Sequence, residues 1–187
     1  LDVLGFDARR QSLVDAIRRK ALTDGDRLRL TKTDMHARDI GTRRVPALAV
    51  NSPLAFEIRS SRTRHVAVLN VGTSGRTWLH VPNAYVKAGN ARIVSTAVAA
   101  IPGSALLPWD RLRAQGLDYL EVGPPGWEHL LAVVSDAPLI KPSEVGVSSE
   151  EHPFALVSPE AITTMIDRLR SWPVESWSGA CLSFVVG

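Results

Sequence analysis

The fold is decided by residues 65–81, which carry the sequence HVAVLNVGTSGRTWLHV. Residues 65–71 form a nearly continuous apolar run, which predicts a strand, and residues 76–81 predict another. The four residues between them, 72–75, have the glycine-rich composition of a hairpin turn. This stretch therefore predicts an antiparallel hairpin, which Pro82 and Asn83 are expected to end.

One further strand is predicted on the N-terminal side of the hairpin. Leu54, Phe56 and Ile58 alternate with other residues, as the side chains of a half-buried strand do. The polar residues 60–64 predict a short turn between this strand and the hairpin. We therefore expect a three-stranded meander over residues 54–81.

Three more strands are predicted in the C-terminal half. Residues 117–122 predict a strand, and the sequence Gly-Pro-Pro-Gly at 123–126 predicts a rigid turn after it. The apolar run within residues 127–135 predicts a buried strand. Residues 180–186 predict a closing strand, with Leu182, Phe184 and Val186 on one face and Cys181 and Ser183 on the other. A connecting loop is expected over residues 136–153.

Two helices flank these strands. Residues 7–21 predict an amphipathic helix whose buried side is Leu13, Val14 and Ile17, with Asp7 as its N-cap. The second helix is expected to begin at Ser158 and Pro159, a good N-cap followed by a proline in the first turn. Its apolar face is Ile162, Met165, Ile166 and Leu169, and Trp172-Pro173 ends it.

The remaining segments carry weaker signals. Residues 27–31 alternate between polar and apolar side chains and predict a strand. Residues 32–46 have many charges and little periodicity, so a long or partly disordered loop is expected there. Residues 84–103 are small and apolar, a composition that suits either a helix or short strands. That segment stays ambiguous.

The pattern as a whole predicts a mainly β protein of the α+β class. Hairpin-length links join most strands, and no alternation of strands and helices indicates a doubly wound sheet. We therefore expect an antiparallel β-sandwich-like core with one N-terminal and one C-terminal flanking helix. A basic helix-and-strand lead over residues 1–50 is expected to pack on a β-rich domain over residues 51–187, forming one compact unit.

The composition is that of an ordinary folded domain. Of the 187 residues, 45% are hydrophobic and 22% are charged, which excludes wholesale disorder. No run of about 18 apolar residues is present, so no transmembrane helix is expected. Cys181 is the one cysteine, which excludes an intramolecular disulfide and a multi-cysteine zinc site.

The net charge of +3 is distributed unevenly along the chain. Residues 1–64 carry a net charge of +6, and residues 65–187 carry −3. A basic first third suits contact with nucleic acid or with an acidic partner. Acidic residues are interspersed with the basic ones, however, so a well-solvated arginine-rich surface is the favoured interpretation, and nucleic acid is not the favoured partner.

Few residues suggest catalysis or metal binding. Cys181 lies in a predicted strand rather than at a helix N-terminus, so a packing role is favoured over that of a nucleophile. None of the five histidines has the spacing of a helical metal motif; they are His36, His65, His80, His129 and His152. Glu128 and His129 are neighbours on a strand and therefore point to opposite faces. We expect no catalytic set, no metal site and no cofactor in this chain.

An interaction surface is a better-supported expectation than an active site. The tryptophans most often close a small core, but Trp109 and Trp127 lie beside prolines and are candidates for lining a groove. The candidate surface consists of these two tryptophans, one histidine and the basic residues of the first helix: Arg9, Arg10, Arg18, Arg19, Trp109, Trp127 and His129.

Three blocks of this sequence resemble a bacterial domain-of-unknown-function family. The first block is the hairpin that ends in Pro-Asn at 82–83, and the second is matched more loosely by residues 87–102. The third is GPPGWEHLLAVVSDAPL at 123–139. The blocks occur in the family's order over residues 54–139. The chain departs from the family pattern at Trp127, where a small or polar residue is usual, and at His80, where an apolar one is commoner.

Domains of that family are accessory modules that follow caspase-like peptidase or serine/threonine kinase domains. No catalytic residues are established for them. The resemblance therefore implies a non-catalytic recognition module of a larger bacterial signalling, secretion-linked or defence protein, and a protein partner or an attached catalytic domain. The start at Leu1 rather than methionine agrees with a part of a longer protein. The alternatives are a small cysteine hydrolase using Cys181 with a histidine, and a nucleic-acid or acidic-partner binder using the basic residues 9–29.

Overall fold

The structure is a computed structural model of the chain. It describes the following residues: 8–20, 22, 27–33, 35–59, 64–72, 75–86, 92–94, 120–121, 123–141, 144 and 155–187. The helices are α1 (Ala8–Arg18), α2 (Pro159–Ser171) and a short 3-10 helix (Val174–Ser176). The strands are β1 (Arg27–Thr33), β2 (His36–Ile40), β3 (Arg43–Leu48), β4 (Pro53–Arg59), β5 (Arg64–Gly72), β6 (Thr77–Val86), β7 (Arg92–Val94), β8 (Leu120–Glu121), β9 (Gly126–Ser135), β10 (Ala155–Leu156) and β11 (Trp177–Val186).

These strands form two sheets. The larger sheet has seven strands in the order β10-β6-β5-β9-β11-β3-β2, and the smaller pairs β4 with β1, β7 and β8. Every described ladder is antiparallel except that between β11 and β3, which makes the large sheet mixed. The predicted fold class is confirmed: the protein is mainly β within the α+β class, with one helix towards each end.

Both faces of the central strands are buried. On one face Leu69, Leu131 and Val133 pack in a single apolar cluster with side chains of both helices, among them Ile17 and Met165. On the opposite face of the same strands Val66, Val68, Leu130, Ala132 and Phe184 are also buried. This explains why residues 65–71 are almost continuously apolar and residues 130–134 wholly so, rather than alternating, since a strand buried on both sides has no solvent face.

Helix α1 packs on the sheet face that carries Leu69, Leu131 and Val133. Its predicted apolar side faces that sheet. Leu13, Val14 and Ile17 are fully buried. Gly179 in β11 makes room for Ile17, because a Cβ at that glycine would lie 3.0 Å from the Ile17 Cγ2. The predicted N-cap Asp7 lies outside the described residues.

Basic side chains of α1 and its C-terminal end fasten the helix to the rest of the protein. The Nε of Arg10 donates to the Thr77 hydroxyl at 3.2 Å. The Nζ of Lys20 donates to the Val174 carbonyl at 2.7 Å and lies 4.5 Å from the centre of the Trp177 ring. Part of the N-terminal excess of positive charge therefore serves to dock the helix.

The predicted hairpin is confirmed, but the predicted meander is wrong. Strands β5 and β6 pair across a turn in which the Gly75 N–H donates to the Gly72 carbonyl, and Gly75 has a φ of 73°. Strand β4 belongs to the smaller sheet and does not pair with β5. Strand β9 takes the place beside β5 instead. Strand β9 has an apolar run like that of β5, as expected for neighbouring strands that are buried on both faces. The alternating pattern of β4 is not typical of such a strand.

The loop expected over residues 32–46 is also wrong, because β2 and β3 form a hairpin there. Its turn is Gly41-Thr42, in which Gly41 has a positive φ of 59° that glycine adopts without strain. All five residues of β2 are exposed. A strand exposed on both faces has no apolar alternation, so periodicity could not reveal it.

Pro82 and Asn83 do not end β6 as predicted. The strand continues to Val86, and its register against β5 shifts between Val81 and Ala84, where β6 holds an extra residue. Such a bulge accommodates a proline, which cannot donate to the ladder. In the ambiguous segment that follows, β7 is a strand over 92–94, and residues 95–103 lie outside the described residues.

Helix α2 begins and ends as predicted. The Ser158 hydroxyl accepts a hydrogen bond from the Ala161 N–H at 3.1 Å, Pro159 opens the helix and Trp172 ends it. All four predicted apolar-face residues are buried.

We expect Ser158→Ala to lower the free energy of unfolding by about 1 kcal/mol, because the substitution leaves the Ala161 N–H without its capping oxygen. Ser171→Ala, at the exposed C-terminal end of the same helix, should change it by less than about 0.5 kcal/mol. Urea denaturation followed by circular dichroism measures both values. Equal effects of the two substitutions would contradict the capping role.

Candidate functional site

The candidate site is built by two neighbouring strands. In the ladder between β9 and β11, His129 lies opposite Ser183, Leu131 opposite Cys181 and Trp127 opposite Val185. Because side chains alternate along a strand, these residues share one face. Leu131 packs with α1 on that face. The strand pairing thus places Trp127, His129 and Ser183 together, near the C-terminal end of α1.

A chain of hydrogen bonds centres on the Ser183 hydroxyl. The Nη2 of Arg18 donates to Ser183 Oγ at 3.3 Å, and Ser183 Oγ lies 2.8 Å from His129 Nδ1. Because the hydroxyl oxygen accepts from Arg18, its own hydrogen can be donated to an unprotonated Nδ1. The thiol of Cys181 lies 3.4 Å from the same oxygen, so the Ser183 hydroxyl links the thiol to the imidazole.

The electrostatics of the site favour a neutral imidazole. Burial lowers the pKa of His129, the positive charge of Arg18 lowers it further, and the negative charge of Asp15 opposes both. His129 and Ser183 are half-buried, and Arg18 is exposed. At neutral pH the site therefore presents one cation, one hydroxyl and an uncharged ring.

We expect Arg18→Gln to raise the pKa of His129, because it removes a positive charge that disfavours the imidazolium. Asp15→Asn should shift the same pKa in the opposite direction. Both shifts can be followed by NMR titration of the imidazole ring protons. If the two substitutions moved the pKa in the same direction, the charge arrangement described here would be wrong.

The same face continues outwards from β11 to the edge of the sheet. Ala47 of β3 is in register with Val185, so Val45 and Arg43 lie on the face that carries Ser183. In β2, Arg38 lies opposite Val45, and Ile40 lies opposite Arg43. Val45 is half-buried, whereas the others are exposed. We call this surface the shelf and define it by six residues: Trp127, His129, Ser183, Val45, Arg43 and Arg38.

The shelf and its surroundings are basic. The hairpin formed by β2 and β3 contains three arginines and one acidic residue, Asp39. Arg43 and Arg44 form no ion pair with an acidic side chain among the described residues. Arg38 donates to the backbone carbonyl of Gly187, which ties the edge strand to the end of the chain.

The structure brings three of the predicted surface residues together and separates the others. Arg18, Trp127 and His129 lie at or beside the shelf. Arg10 is occupied at Thr77, and the Arg19 side chain donates to the Asp15 carbonyl. Arg9 is exposed in the first turn of α1, and Trp109 lies outside the described residues.

Four residues of the shelf were not predicted as site residues: Arg38, Arg43, Val45 and Ser183. Arg38 and Arg43 lie in the segment that was expected to be a loop, and only the Gly-Thr pair at 41–42 signalled the hairpin that places them. Ser183 was placed correctly on the face of Cys181, but its contact with His129 depends on strand pairing. That pairing joins residues 54 positions apart in the chain.

Glu128 lies on the opposite face from His129, so the two do not form an acid–base pair. It packs over Gly72 of β5, where a Cβ would lie 2.7 Å from the Glu128 Cδ. Close approach of the carboxyl group explains why residue 72 has no side chain. Burial raises the pKa of Glu128 to about 7, and a hydrogen bond from the Asn70 side chain opposes this shift.

The other candidate residues have structural positions. His80 is buried at a second register shift of β6, and burial lowers its pKa to about 3. Trp177 is buried and Trp172 packs against the same apolar cluster, as the core interpretation predicted. Among the described residues no group of three or more histidine, cysteine or acidic side chains is arranged to hold a metal ion. No described helix is long and apolar enough to cross a membrane.

Comparison with known proteins gives no indication of the function of this chain. No protein-family model matches the chain, and neither a curated protein nor a solved structure shows significant similarity to it.

Proposed function

We propose that this chain is a non-catalytic recognition module of a larger bacterial signalling or defence protein. Its partner is an acidic protein segment, which binds on the shelf. The observation that carries the proposal is that Trp127 and His129, with Arg18 beside them, share one sheet face with Arg38 and Arg43 of the edge hairpin. The accessory module predicted from three sequence blocks agrees with this proposal.

The shelf combines the features that a protein-binding surface needs. Trp127 supplies a half-buried aromatic surface, and tryptophan and arginine are enriched among residues that dominate binding energy. Arg43 and Arg38 supply exposed positive charge, which guides an acidic partner and fixes its orientation. The half-buried centre and the charged rim match the usual anatomy of a protein interface.

The basic surface of α1 is a weaker candidate for nucleic acid. A nucleic-acid interface uses several cations on one face to contact successive phosphates. Here Arg10 and Lys20 are engaged in holding α1 on the sheet. The cations of residues 9–29 therefore do not all remain available to a phosphate backbone.

A cysteine hydrolase is the second candidate function, and one observation favours it. The Cys181 thiol and the His129 imidazole contact the same Ser183 hydroxyl, at 3.4 and 2.8 Å. A nucleophile of this kind would pass its proton to a hydrogen-bonded base. The thiol has no direct hydrogen bond to that base in this arrangement, so recognition is the better-supported function.

Fluorescence anisotropy with a labelled peptide of alternating glutamate and valine tests the proposal. We expect binding that weakens as salt rises from low to moderate concentration, because exposed charges are screened. A peptide of alternating lysine and valine is the matched control and should not bind. Equal binding of both peptides, or no binding of the acidic one, would refute the proposal. Tighter binding of a single-stranded oligonucleotide would favour nucleic acid instead.

Hydrolysis of p-nitrophenyl acetate tests the second candidate. If the chain is a recognition module without catalytic activity, the wild type and Cys181→Ala should hydrolyse this ester at the same rate. A rate that falls to the background level in Cys181→Ala would support the hydrolase.

A further inference from the structure

Strand β2 is an edge strand with an accessible backbone. It is the last strand of the seven-stranded sheet, and it pairs through five residues with β3 on its inner side. Within the described part of the chain, no strand pairs with its outer side. All five of its residues are exposed. Such an edge presents a row of N–H and C=O groups that can pair with another extended chain.

The side chains of β2 determine which chain would fit. Arg38 lies at the centre of the strand and on the shelf face, with His36 and Ile40 on either side of it on that face. A strand added alongside would place every second side chain on the shelf face. Acidic residues at those positions would lie next to Arg38. Arg43 lies one strand further into the sheet, on β3.

A second copy of this chain does not fit the edge. Antiparallel pairing of two β2 strands about their centre would place Arg38 directly opposite its counterpart. Like charges directly opposite each other on a sheet are destabilising. The charge of the edge therefore favours an acidic partner over self-association.

We propose that the partner's acidic segment binds as an additional strand along the outer edge of β2, with alternate acidic side chains on the shelf face beside Arg38. This inference rests on the proposed function and specifies how the partner is held. The backbone hydrogen bonds supply affinity, and the alternating charges supply specificity, as in other cases of strand addition.

Two peptides of equal charge separate strand addition from simple charge attraction. One alternates glutamate with valine, and the other alternates glutamate with proline, which has no N–H to donate and does not continue a sheet. Amide hydrogen exchange of the ¹⁵N-labelled chain is measured with each peptide, and affinity is measured by anisotropy.

We expect the glutamate–valine peptide to slow exchange by about tenfold or more at alternate residues of 36–40, whose N–H groups point outwards. The glutamate–proline peptide should bind at least about tenfold more weakly and give no protection. Equal binding of both peptides without protection would overturn strand addition and leave the proposed function standing. Binding of neither peptide would overturn both.

Discussion

Glu128→Gln is expected to raise the free energy of unfolding at pH 8 by about 3 kcal/mol. Glu128 is only 7% exposed, and burial raises its pKa from the usual 4.5 to about 7. Above pH 7 the folded protein must hold a buried negative charge that the unfolded chain exposes to water. Glutamine has nearly the same shape and carries no charge, so it removes this cost.

The pH dependence follows from the sign of the shift. Because the pKa of Glu128 is raised on folding, its contribution to stability is fully present below about pH 4.5 and is lost as the pH rises to about 7. The pKa of His80 is lowered to about 3, so its contribution is present above pH 6.5 and is lost as the pH falls towards 3. Between pH 4.5 and 6.5 the contribution of Glu128 to stability falls as the pH rises, and that of His80 rises by the same amount. The contributions of these two groups therefore cancel in this range.

Glu128→Gln should therefore reveal the slope that His80 produces. Between pH 4.5 and 6.5 the stability of the variant is expected to fall with falling pH more steeply than that of the wild type, by about 1.4 kcal/mol for each pH unit. Urea denaturation at a series of pH values measures both slopes, and Glu175→Gln, at an exposed position, is the matched control. The same slope in Glu128→Gln as in the wild type would show that the carboxyl group is not buried as described.

Ile17→Ala is expected to lower the free energy of unfolding by about 3 kcal/mol. Ile17 is fully buried between α1 and β11, where its Cγ2 fills the space above Gly179. Alanine would leave a cavity that the two well-packed elements cannot close. The whole protein should still unfold in one transition, because α1 packs against β9, β11 and α2.

The control for this prediction is Ile40→Ala in β2. Ile40 is 40% exposed, so the same substitution there should cost less than about 1 kcal/mol. Chemical denaturation followed by tryptophan fluorescence and by circular dichroism measures both variants. A separate early transition in Ile17→Ala would mean that the first 50 residues fold apart from the remainder.

The elements that could be predicted from sequence are those whose pattern reflects their own burial. The apolar run at 130–134 correctly predicted β9, because that strand is buried on both faces there. Helix α2 was predicted to within a residue, since Ser158, Pro159 and Trp172 mark its ends by local chemistry. These signals are contained within a few neighbouring residues.

The elements that could not be predicted depend on distant partners. Strand β4 has an alternating pattern that is compatible with either sheet, and its pairing with β1 is set by segments far apart in the chain. The exposed strand β2 has no apolar pattern at all. The shelf combines both difficulties, because Arg38 lies in that strand and His129 meets Ser183 only through long-range pairing.

The most direct test of the shelf as a docking surface is charge reversal at one exposed arginine. Arg43→Glu is compared with Arg170→Glu, the same substitution on the exposed side of α2, in binding of the glutamate–valine peptide at low salt. We predict that Arg43→Glu weakens binding by at least about tenfold and that Arg170→Glu leaves it within about twofold of the wild type. Equal loss of binding in the two variants would show that the peptide responds to net charge alone, and would contradict recognition by the shelf.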